Sequence, residues 1–319
     1  MRNTTALQDV IVTGSYGTNF INSLRDRSYD AEIVDRGRIP GAETYALPKS
    51  LKNKYESALL KESLMRKHAT VIHTSAGTHG ILARDCDDIA EWVDEGQSIS
   101  VYDAMDDFTK NTLDYNKLTS FIRIDRPFAH DATFDFDDYL VKRFARAFGK
   151  AEDKAFITGT GVKEPAGLTC PGKGAELAVV TDSITFDDVY KLYFSLDREY
   201  RDKAVWLMND ETAFNLRSMK DDAGNYLWNQ MNDTILGKPV LISNYMPSEE
   251  SGTTPILFGD LSYYWIVCRQ PVSIRALYER FAVYDQIGYL GVEYLDGRLI
   301  RREAVQGIAI NATDANVTG

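Results

Sequence analysis

The sequence predicts an α+β fold with an extended N-terminal arm and an extended two-stranded ribbon. Two patterns carry this prediction: apolar residues recur at steps of three and four in several segments before residue 222, and short strand-like segments dominate after it. Apolar residues make up 44% of the 319, which allows a sizeable core and excludes a wholly disordered chain. The length corresponds to about two domains.

The first 48 residues predict no element of their own. Glycine and proline interrupt them, and no apolar face is sustained. Such a segment cannot offset its ordering entropy alone, so it is either disordered or an arm that lies on another surface. A helix is expected from Ser50 to His68, where apolar residues fall mostly at steps of three and four and Ser50 is a suitable cap.

Residues from Ser98 onwards change to a period of two. Apolar side chains alternate with polar ones from Ile99 to Met105, and a second run extends from Leu118 to Ile124. The two runs predict a long two-stranded ribbon with few apolar side chains. Because an isolated hairpin is marginally stable in water, the ribbon needs a host surface.

The clearest helix spans Asp135 to Ile157, with acidic residues at its start and apolar residues at steps of four and three. A passage rich in glycine and proline, from 165 to 174, predicts a boundary. Further helices are expected at 185–200 and 209–222. Short strands are expected at 204–208, 239–243, 256–258, 264–268, 272–277, 287–294 and 304–310.

Charge is distributed unevenly along the chain. The net charge of −11 argues against a protein that coats nucleic acid or binds an anionic membrane. Residues 85–138 hold fifteen acidic and four basic side chains, whereas residues 1–84 hold twelve basic and eight acidic ones. Two segments of opposite charge, neither stable alone, predict surfaces that meet between subunits; the alternative is that both are merely solvated. The candidate interface residues are Arg25, Arg27, Arg36 and Arg38 on the arm, and Asp94, Glu95, Asp103, Asp106, Asp107 and Asp114 on the acidic segment.

Few residues suggest a metal or redox site. The three cysteines stand at wide spacings, as in a reduced intracellular protein. His73 and His79 could share a metal, but the glycine-containing loop between them is more typical of a surface turn. We therefore expect no metal and no cofactor. No apolar run approaches the ~20 residues of a membrane helix, and no signal core follows the N-terminus, so a soluble protein kept inside a cell is expected.

Catalytic motifs are missing from the sequence. Gly159-Thr160-Gly161 lacks the third glycine of a dinucleotide fingerprint and follows a predicted helix instead of a strand. There is no Walker lysine pattern and no Gly-x-Ser-x-Gly elbow. Paired carboxylates such as Asp187-Asp188 are typical of helix starts. We predict that the protein is not an enzyme; a soluble hydrolase with an unrecognised site is the alternative from a different class.

An ordered set of short motifs extends across residues 85–310. In its strongest part, Glu152 to Gly161, a long helix ends in a Gly-x-Gly turn before the Pro-x-Gly-hydrophobic segment at 164–168. Weaker motifs follow at Trp206–Asn209, Lys220–Trp228, Leu236–Val240, Met246-Pro247 and Ile256–Tyr264. In their order and spacing, these motifs resemble the major capsid proteins of tailed phages.

The resemblance implies the capsid fold named after phage Hong Kong ninety-seven, which encapsulins and the floor of herpesvirus shells share. It implies an N-terminal arm, an extended β-hairpin loop, a peripheral domain with a long spine helix, and an axial domain. The implied ranges are 1–68 for the arm and its helix, 97–125 for the loop, 69–96, 126–170 and 262–297 for the peripheral domain, and 171–261 and 298–319 for the axial domain.

The function that the resemblance implies is structural. Copies would self-assemble through pentamers and hexamers into an icosahedral virion shell around double-stranded DNA, made in the host cytoplasm. An inner wall without a basic stripe would let packed DNA leave again. A portal is one implied partner. Only about 84 residues precede the ribbon region, so a separate scaffold protein, or none, is expected in place of a long N-terminal scaffolding region. An encapsulin-like nanocompartment is the alternative with the same fold.

Some proteins of this family join their subunits by an isopeptide bond between a lysine and an asparagine, assisted by a glutamate. Lys110 or Lys117 could supply the amine, and Glu293 resembles the assisting acid. No asparagine lies between residues 279 and 288, where the nearest amide is Gln286. We therefore predict no covalent cross-link between subunits.

Overall fold

Two six-stranded sheets organise the chain in the computed structural model. The structure describes residues 7, 9–39, 43–74, 79–84, 108–113, 115–131, 134–220, 224, 226, 228 and 234–311, with the backbone alone for 79–84, 108–113 and Pro271. None of the described helices combines the length and the hydropathy needed to span a bilayer.

The helices and strands alternate irregularly along the described residues. The helices are α1 (Gly14–Leu24), α2 (Ala31–Asp35), α3 (Lys49–Glu62), α4 (Met65–His68), α5 (Arg126–His130), α6 (Phe136–Thr158), α7 (Phe186–Ser195), α8 (Arg198–Arg201) and α9 (Asp210–Ser218). The strands are β1 (Arg38–Ile39), β2 (Thr44–Ala46), β3 (Thr70–His73), β4 (His79–Arg84), β5 (Phe108–Leu113), β6 (Asn116–Asp125), β7 (Glu176–Thr181), β8 (Val205–Met208), β9 (Thr234–Ile235), β10 (Lys238–Ile242), β11 (Ile256–Gly259), β12 (Tyr264–Leu277), β13 (Gln286–Leu299) and β14 (Val305–Ile310).

The first sheet has the strand order β1-β2-β12-β13-β6, and β3 pairs in parallel with β12. Its two central strands pair antiparallel, from Tyr264 opposite Leu299 to Leu277 opposite Gly288. Helix α6 packs on this sheet where β13 has no side chain: a Cβ atom at Gly291 would lie 2.6 Å from the Phe144 ring. The absent side chain therefore allows the close approach of helix and sheet.

The local sequence accounts for the 23-residue helix α6. The Asp135 carboxylate accepts a hydrogen bond from the Asp138 backbone N–H at 3.2 Å and caps the N-terminus. The rings of Phe144 and Phe148 are buried against the sheet. On another side of the helix, α3 crosses close by, since a Cβ atom at Gly149 would lie 3.3 Å from a Leu59 methyl group.

The second sheet has the strand order β7-β14-β11-β8-β10-β9, with α7 and α9 packed against its core. Trp206 on β8 stacks on Phe258 of β11 with ring centroids 4.1 Å apart. A further buried cluster joins the sheets, because Leu257 of the second sheet packs in it with Phe156 of α6 and Tyr264 of the first sheet.

The elements predicted after residue 135 are confirmed, with differences at their ends. The predicted strands at 264–268 and 272–277 are one strand, β12, whose register shifts between Cys268 and Ser273. The helix predicted at 185–200 breaks after Ser195, and the one predicted to start at Asn209 ends at Ser218. Earlier in the chain, the helix predicted from Ser50 to His68 is likewise two helices, α3 and α4.

The prediction that residues 1–48 form no element of their own is wrong. Thr13 caps α1, and Tyr16, Phe20 and Leu24 fall at steps of four and are buried against the first sheet. The Tyr16 hydroxyl also donates a hydrogen bond to the Ala46 carbonyl at 2.5 Å. The glycines at 14 and 17 hide this short period, and tertiary packing stabilises the helix despite them.

The predicted ribbon at 97–125 is wrong for its second strand. Residues 116–125 form β6, which pairs with β13 along the first sheet and buries Ile122 and Ile124. The hairpin stem lies elsewhere, because β5 pairs antiparallel with β4, from His79 opposite Leu113 to Arg84 opposite Phe108. The period of two was therefore correct for β6, but its apolar face belongs to the core and not to an isolated ribbon. The first predicted run, Ile99–Met105, lies outside the described residues.

The Gly291→Ala substitution is expected to lower the free energy of unfolding of the unassembled subunit by about 1–3 kcal/mol, because the new methyl group would overlap the Phe144 ring. Chemical denaturation followed by circular dichroism measures this change. Gly14→Ala is the control: no atom lies within 4 Å of its added Cβ, so stability should stay equal or rise slightly. An unchanged Gly291→Ala variant would contradict the packing of α6 on β13.

Candidate functional site

A buried ionic cluster lies where α4, α6 and β13 meet. The Arg66 guanidinium binds Glu152 through two hydrogen bonds, Nε to Oε2 at 2.6 Å and Nη2 to Oε1 at 2.8 Å. Its Nη2 also donates to Glu293 at 3.1 Å. The three side chains are only 7%, 0% and 4% exposed, respectively. We call these three residues, together with Tyr55, the Arg66 cluster.

Neighbouring hydrogen bonds extend the Arg66 cluster to α3 and to the turn before α4. The Tyr55 hydroxyl donates to the second oxygen of Glu293 at 2.9 Å. Asp153, next to Glu152 on α6, accepts hydrogen bonds from the Ser63 hydroxyl at 2.6 Å and from the Leu64 backbone N–H at 2.7 Å. Buried charges are tolerated when they are paired and hydrogen-bonded in this way. The arrangement fixes α3 and α4 on α6 and on the first sheet.

The cluster has one positive charge for two carboxylates, and this imbalance affects Glu152. Burial raises the pKa of Glu152 to about 7; the Arg66 guanidinium opposes the rise, and the Glu293 carboxylate adds to it. Burial also raises the pKa of the adjacent Cys268 thiol to about 12, so this thiol is protonated at neutral pH and is a poor nucleophile. A closed site without a reactive thiolate is suited to bracing the fold.

The periodic sequence of α6 indicates a buried acid in the Arg66 cluster, although the predictions above do not include it. Leu140, Phe144, Phe148, Glu152 and Phe156 follow one another at steps of four, and all five are buried. Glu152 therefore continues the apolar stripe of α6, which predicts a buried acid with a partner. The partner could not be named, because Arg66 is 86 residues away along the chain.

The four predicted arginines of the arm lie in different surroundings. Arg25 is buried: its Nε binds Asp137 at 3.2 Å, and its guanidinium lies 5.6 Å from the centre of the Phe136 ring. The charge of Arg25 is thus already paired inside the chain, and its predicted contact with a neighbouring subunit stays a prediction that we do not carry further. Arg27, Arg36 and Arg38 are exposed, and Arg38 pairs with Glu43.

The predicted acidic partners of these arginines lie outside the described residues. They are Asp94, Glu95, Asp103, Asp106, Asp107 and Asp114. The structure describes the two strands on either side of most of them, β4 and β5. Their role at an interface stays a prediction.

The structure describes some of the residues that the sequence analysis considered, and rejected, for a metal site or a cross-link. Within the described residues, no group of three or more His, Cys, Asp and Glu side chains could hold a metal ion. Glu293 is not free to assist a cross-link, because Tyr55 and Arg66 bind both of its oxygens. The Gln286 amide donates to Asp125 at 2.8 Å.

The raised pKa of Glu152 predicts a pH-dependent contribution to stability. Between pH 4.5 and about 7 the folded state holds a proton that the unfolded state releases, so the contribution of this group falls as the pH rises through that window. Glu152→Gln removes the titration. The free energy of unfolding of the variant minus that of the wild type should therefore increase, by up to roughly 3 kcal/mol, as the pH rises from 4.5 to 8.

Denaturation of both proteins at several pH values measures this difference. The exposed Glu199, changed to Gln, is the matched control and is measured at the same pH values. A difference for Glu152→Gln that does not vary with pH would mean that Glu152 is ionised throughout and fully compensated by Arg66.

Comparison with known proteins now places this fold. The sequence matches the model of the Phage capsid family over residues 43–310, and no curated protein sequence matches it. A solved capsid of a native GTA particle, computed with C5 symmetry, is 25% identical with a TM-score of 0.65 over 78% of this chain and 90% of that one. Chains in solved structures of Gordonia phage Cozz (12% identity, TM-score 0.55, 79% of this chain and 87% of that one) and Microbacterium phage Oxtober96 (16%, 0.55, 86% and 94%) share the fold.

The family model covers most of the chain, including the second sheet, the first sheet except β1, and the Arg66 cluster. The resemblance found in the sequence motifs is thereby confirmed, and so is the α+β capsid fold named after phage Hong Kong ninety-seven. The role is structural and not enzymatic. The chain belongs to the phage capsid family and is the major capsid protein of a tailed phage or prophage.

Proposed function

We propose that copies of this chain join as pentamers and hexamers into an icosahedral shell around double-stranded DNA. The supporting observation is the family match over residues 43–310, together with the similarity to a capsid computed with C5 symmetry. Five-fold symmetry is that of the vertices of an icosahedron. The proposal includes a portal and a separate scaffold protein as partners, and assembly in the host cytoplasm.

The two sheets suggest how each copy is arranged in the shell. We assign the first sheet and α6 to the peripheral domain, and the second sheet to the axial domain that surrounds the five-fold and six-fold axes. The extended loop is then the segment 79–113, which begins and ends with the paired strands β4 and β5. Its length would let it reach a neighbouring subunit.

Exposed apolar side chains support contacts between copies. Val283 and Tyr284, in the turn between β12 and β13, are 94% and 70% exposed. Phe194 on α7 and Phe214 on α9 are 64% and 70% exposed. Large apolar side chains that face water on an isolated chain are typical of association surfaces. In a shell, neighbouring copies would cover them.

Charge provides a second kind of contact. Residues 85–107 hold nine acidic side chains and no basic one. We propose that this acidic segment meets the exposed Arg27, Arg36 and Arg38 of a neighbouring copy. Exposed ion pairs contribute only ~0.2–1 kcal/mol each, but an icosahedral shell repeats them many times.

Particles from a producing host are expected to have megadalton mass, five-fold vertices and nuclease-protected DNA, because the chain would form a closed shell. Electron microscopy, light scattering and nuclease treatment measure these properties. After boiling in SDS, the protein should run as a 35.9 kDa monomer, since no cross-link is expected. Under native conditions, a protein found only as monomers or dimers would contradict the proposed shell. Shells that hold a cargo enzyme without nucleic acid would indicate the nanocompartment alternative. A ladder of multimers would contradict only the absence of cross-links.

The triple variant Arg27→Gln, Arg36→Gln, Arg38→Gln should assemble more slowly than the wild type at 50 mM salt and similarly at 1 M. At 1 M the Debye length falls to ~3 Å, so the wild type also loses these contacts. Light scattering during assembly measures the rates. A control variant with the same change of charge on exposed residues elsewhere, Lys173→Gln, Lys191→Gln, Lys203→Gln, should behave as the wild type. Equal rates for wild type and triple variant at every salt concentration would remove these arginines from the interface.

A further inference from the structure

A groove of about 860 Å³ runs between α3 and α6, on the side of α6 away from the first sheet. Five of its lining side chains are basic: Lys54, Lys61, Lys142, Arg143 and Arg146. The acidic side chains in the lining are Glu62 and Asp138. The groove is thus positively charged in a chain whose net charge is −11.

The positive charge continues along α6 beyond the groove. Lys142, Arg146, Lys150 and Lys154 stand at steps of four, and all four are exposed. With a rise of ~1.5 Å per residue, they form a row about 18 Å long with about 6 Å between neighbours. We call this row the basic stripe. It lies on the opposite side of α6 from the buried row that contains Phe144 and Glu152.

The nearby carboxylates neutralise only part of this surface. Asp138 lies 2.7 Å from the Lys142 Nζ and 3.8 Å from the Lys54 Nζ, and Glu62 lies 3.8 Å from the Arg146 Nε. Across the part of the chain that the structure describes, Lys150 and Lys154 have no ion-pair partner. Such a surface attracts a polyanion at low and moderate salt.

We infer that the basic stripe and the groove bind the phosphate backbone of the packaged double-stranded DNA, so this face of the subunit lines the shell interior. This inference reverses the expectation, drawn from the family resemblance, that the inner wall has no basic stripe. The inference rests on the proposed function. B-DNA carries one negative charge per about 1.7 Å of its axis, so a segment as long as the stripe offers about ten phosphates. Exposed lysines on a rigid helix can bind these charges without reading the base sequence.

The composition of the surface favours DNA over a protein partner. The central part of a protein interface is depleted in lysine and enriched in aromatic side chains. The stripe has three lysines among its four residues, and one aromatic ring, Tyr139, lines the groove. The acidic segment 85–107 of a neighbouring copy is the protein alternative, and it is one outcome of the test.

Cross-linking in DNA-filled particles tests the inference directly. Formaldehyde joins lysine amines to DNA bases, and a carbodiimide joins lysines to carboxylates that touch them. Mass spectrometry of the digested particles is expected to find DNA on peptides that contain Lys150 and Lys154. Carbodiimide products that link these lysines to residues 85–107 would overturn the inference, and so would DNA on Lys191 and Lys203 but not on the lysines of α6.

Variants supply the second measurement. Lys142→Gln, Arg146→Gln, Lys150→Gln and Lys154→Gln together should lower the yield of DNA adducts on the subunit at least tenfold. The matched control removes one arginine and three lysines elsewhere, through Arg198→Gln, Lys191→Gln, Lys203→Gln and Lys220→Gln, and should keep the wild-type yield. Equal yields from both variants would overturn the inference.

A failure of the proposed shell function can be distinguished from a failure of the proposed DNA contact. If the wild type forms no DNA-filled particle, the proposed function fails, and the inference fails with it. If filled particles form but α6 carries no adduct, only the inference fails. If the stripe variant does not assemble, its unassembled subunits can be titrated with a 30-base-pair duplex between 50 and 200 mM salt. Each phosphate contact removed should reduce the slope of log K against log salt by about 0.9, and a slope equal to that of the wild type would contradict the inference.

Discussion

The position of the N-terminal segment depends on one buried arginine that faces two carboxylates. Removing such charges from water costs several kcal/mol per ion, and only good geometry offsets this cost. The bidentate contact of Arg66 with Glu152 and its third bond to Glu293 meet that condition. A slip of α3 and α4 by one turn, about 5.4 Å, would leave both carboxylates unpaired. The Arg66 cluster therefore selects one alignment of these helices on α6 and the first sheet.

Helix α6 carries two rows of residues with the same step of four and opposite surroundings. The row from Leu140 to Phe156 is buried and includes Glu152, whereas the row from Lys142 to Lys154 is exposed. One helix can therefore support the subunit core on one side and present a charged surface on the other. The position of Gly149, between the two rows, lets α3 approach and form the wall of the groove.

The sequence was most informative where local signals and burial agree. Helix α6 has a cap, an acidic start and a long apolar period, and the strands after residue 235 have clear boundaries, so these elements could be predicted. Helix α1 could not, because its glycines mask three buried positions that only the first sheet explains. The partners of Arg25 and Arg66 lie 112 and 86 residues away, and no spacing rule connects residues across such distances. Charge counted along the chain indicated which segments carry charge, but not which charges remain free.

Buried and exposed charges have different roles in this acidic protein. The charges of the Arg66 cluster are shielded from solvent ions, so they contribute to one fixed structure at any ordinary salt concentration. The lysines of α6 remain solvated, and each contributes little and responds to salt. A net charge of −11 sums over both kinds and therefore does not describe the surface that a polyanion would meet. Contacts that are weak, numerous and independent of base sequence would hold DNA against a wall without preventing its release. The Arg66 cluster, by contrast, requires strong contacts of fixed geometry, because a subunit that contacts its neighbours must keep α3 and α4 in one position.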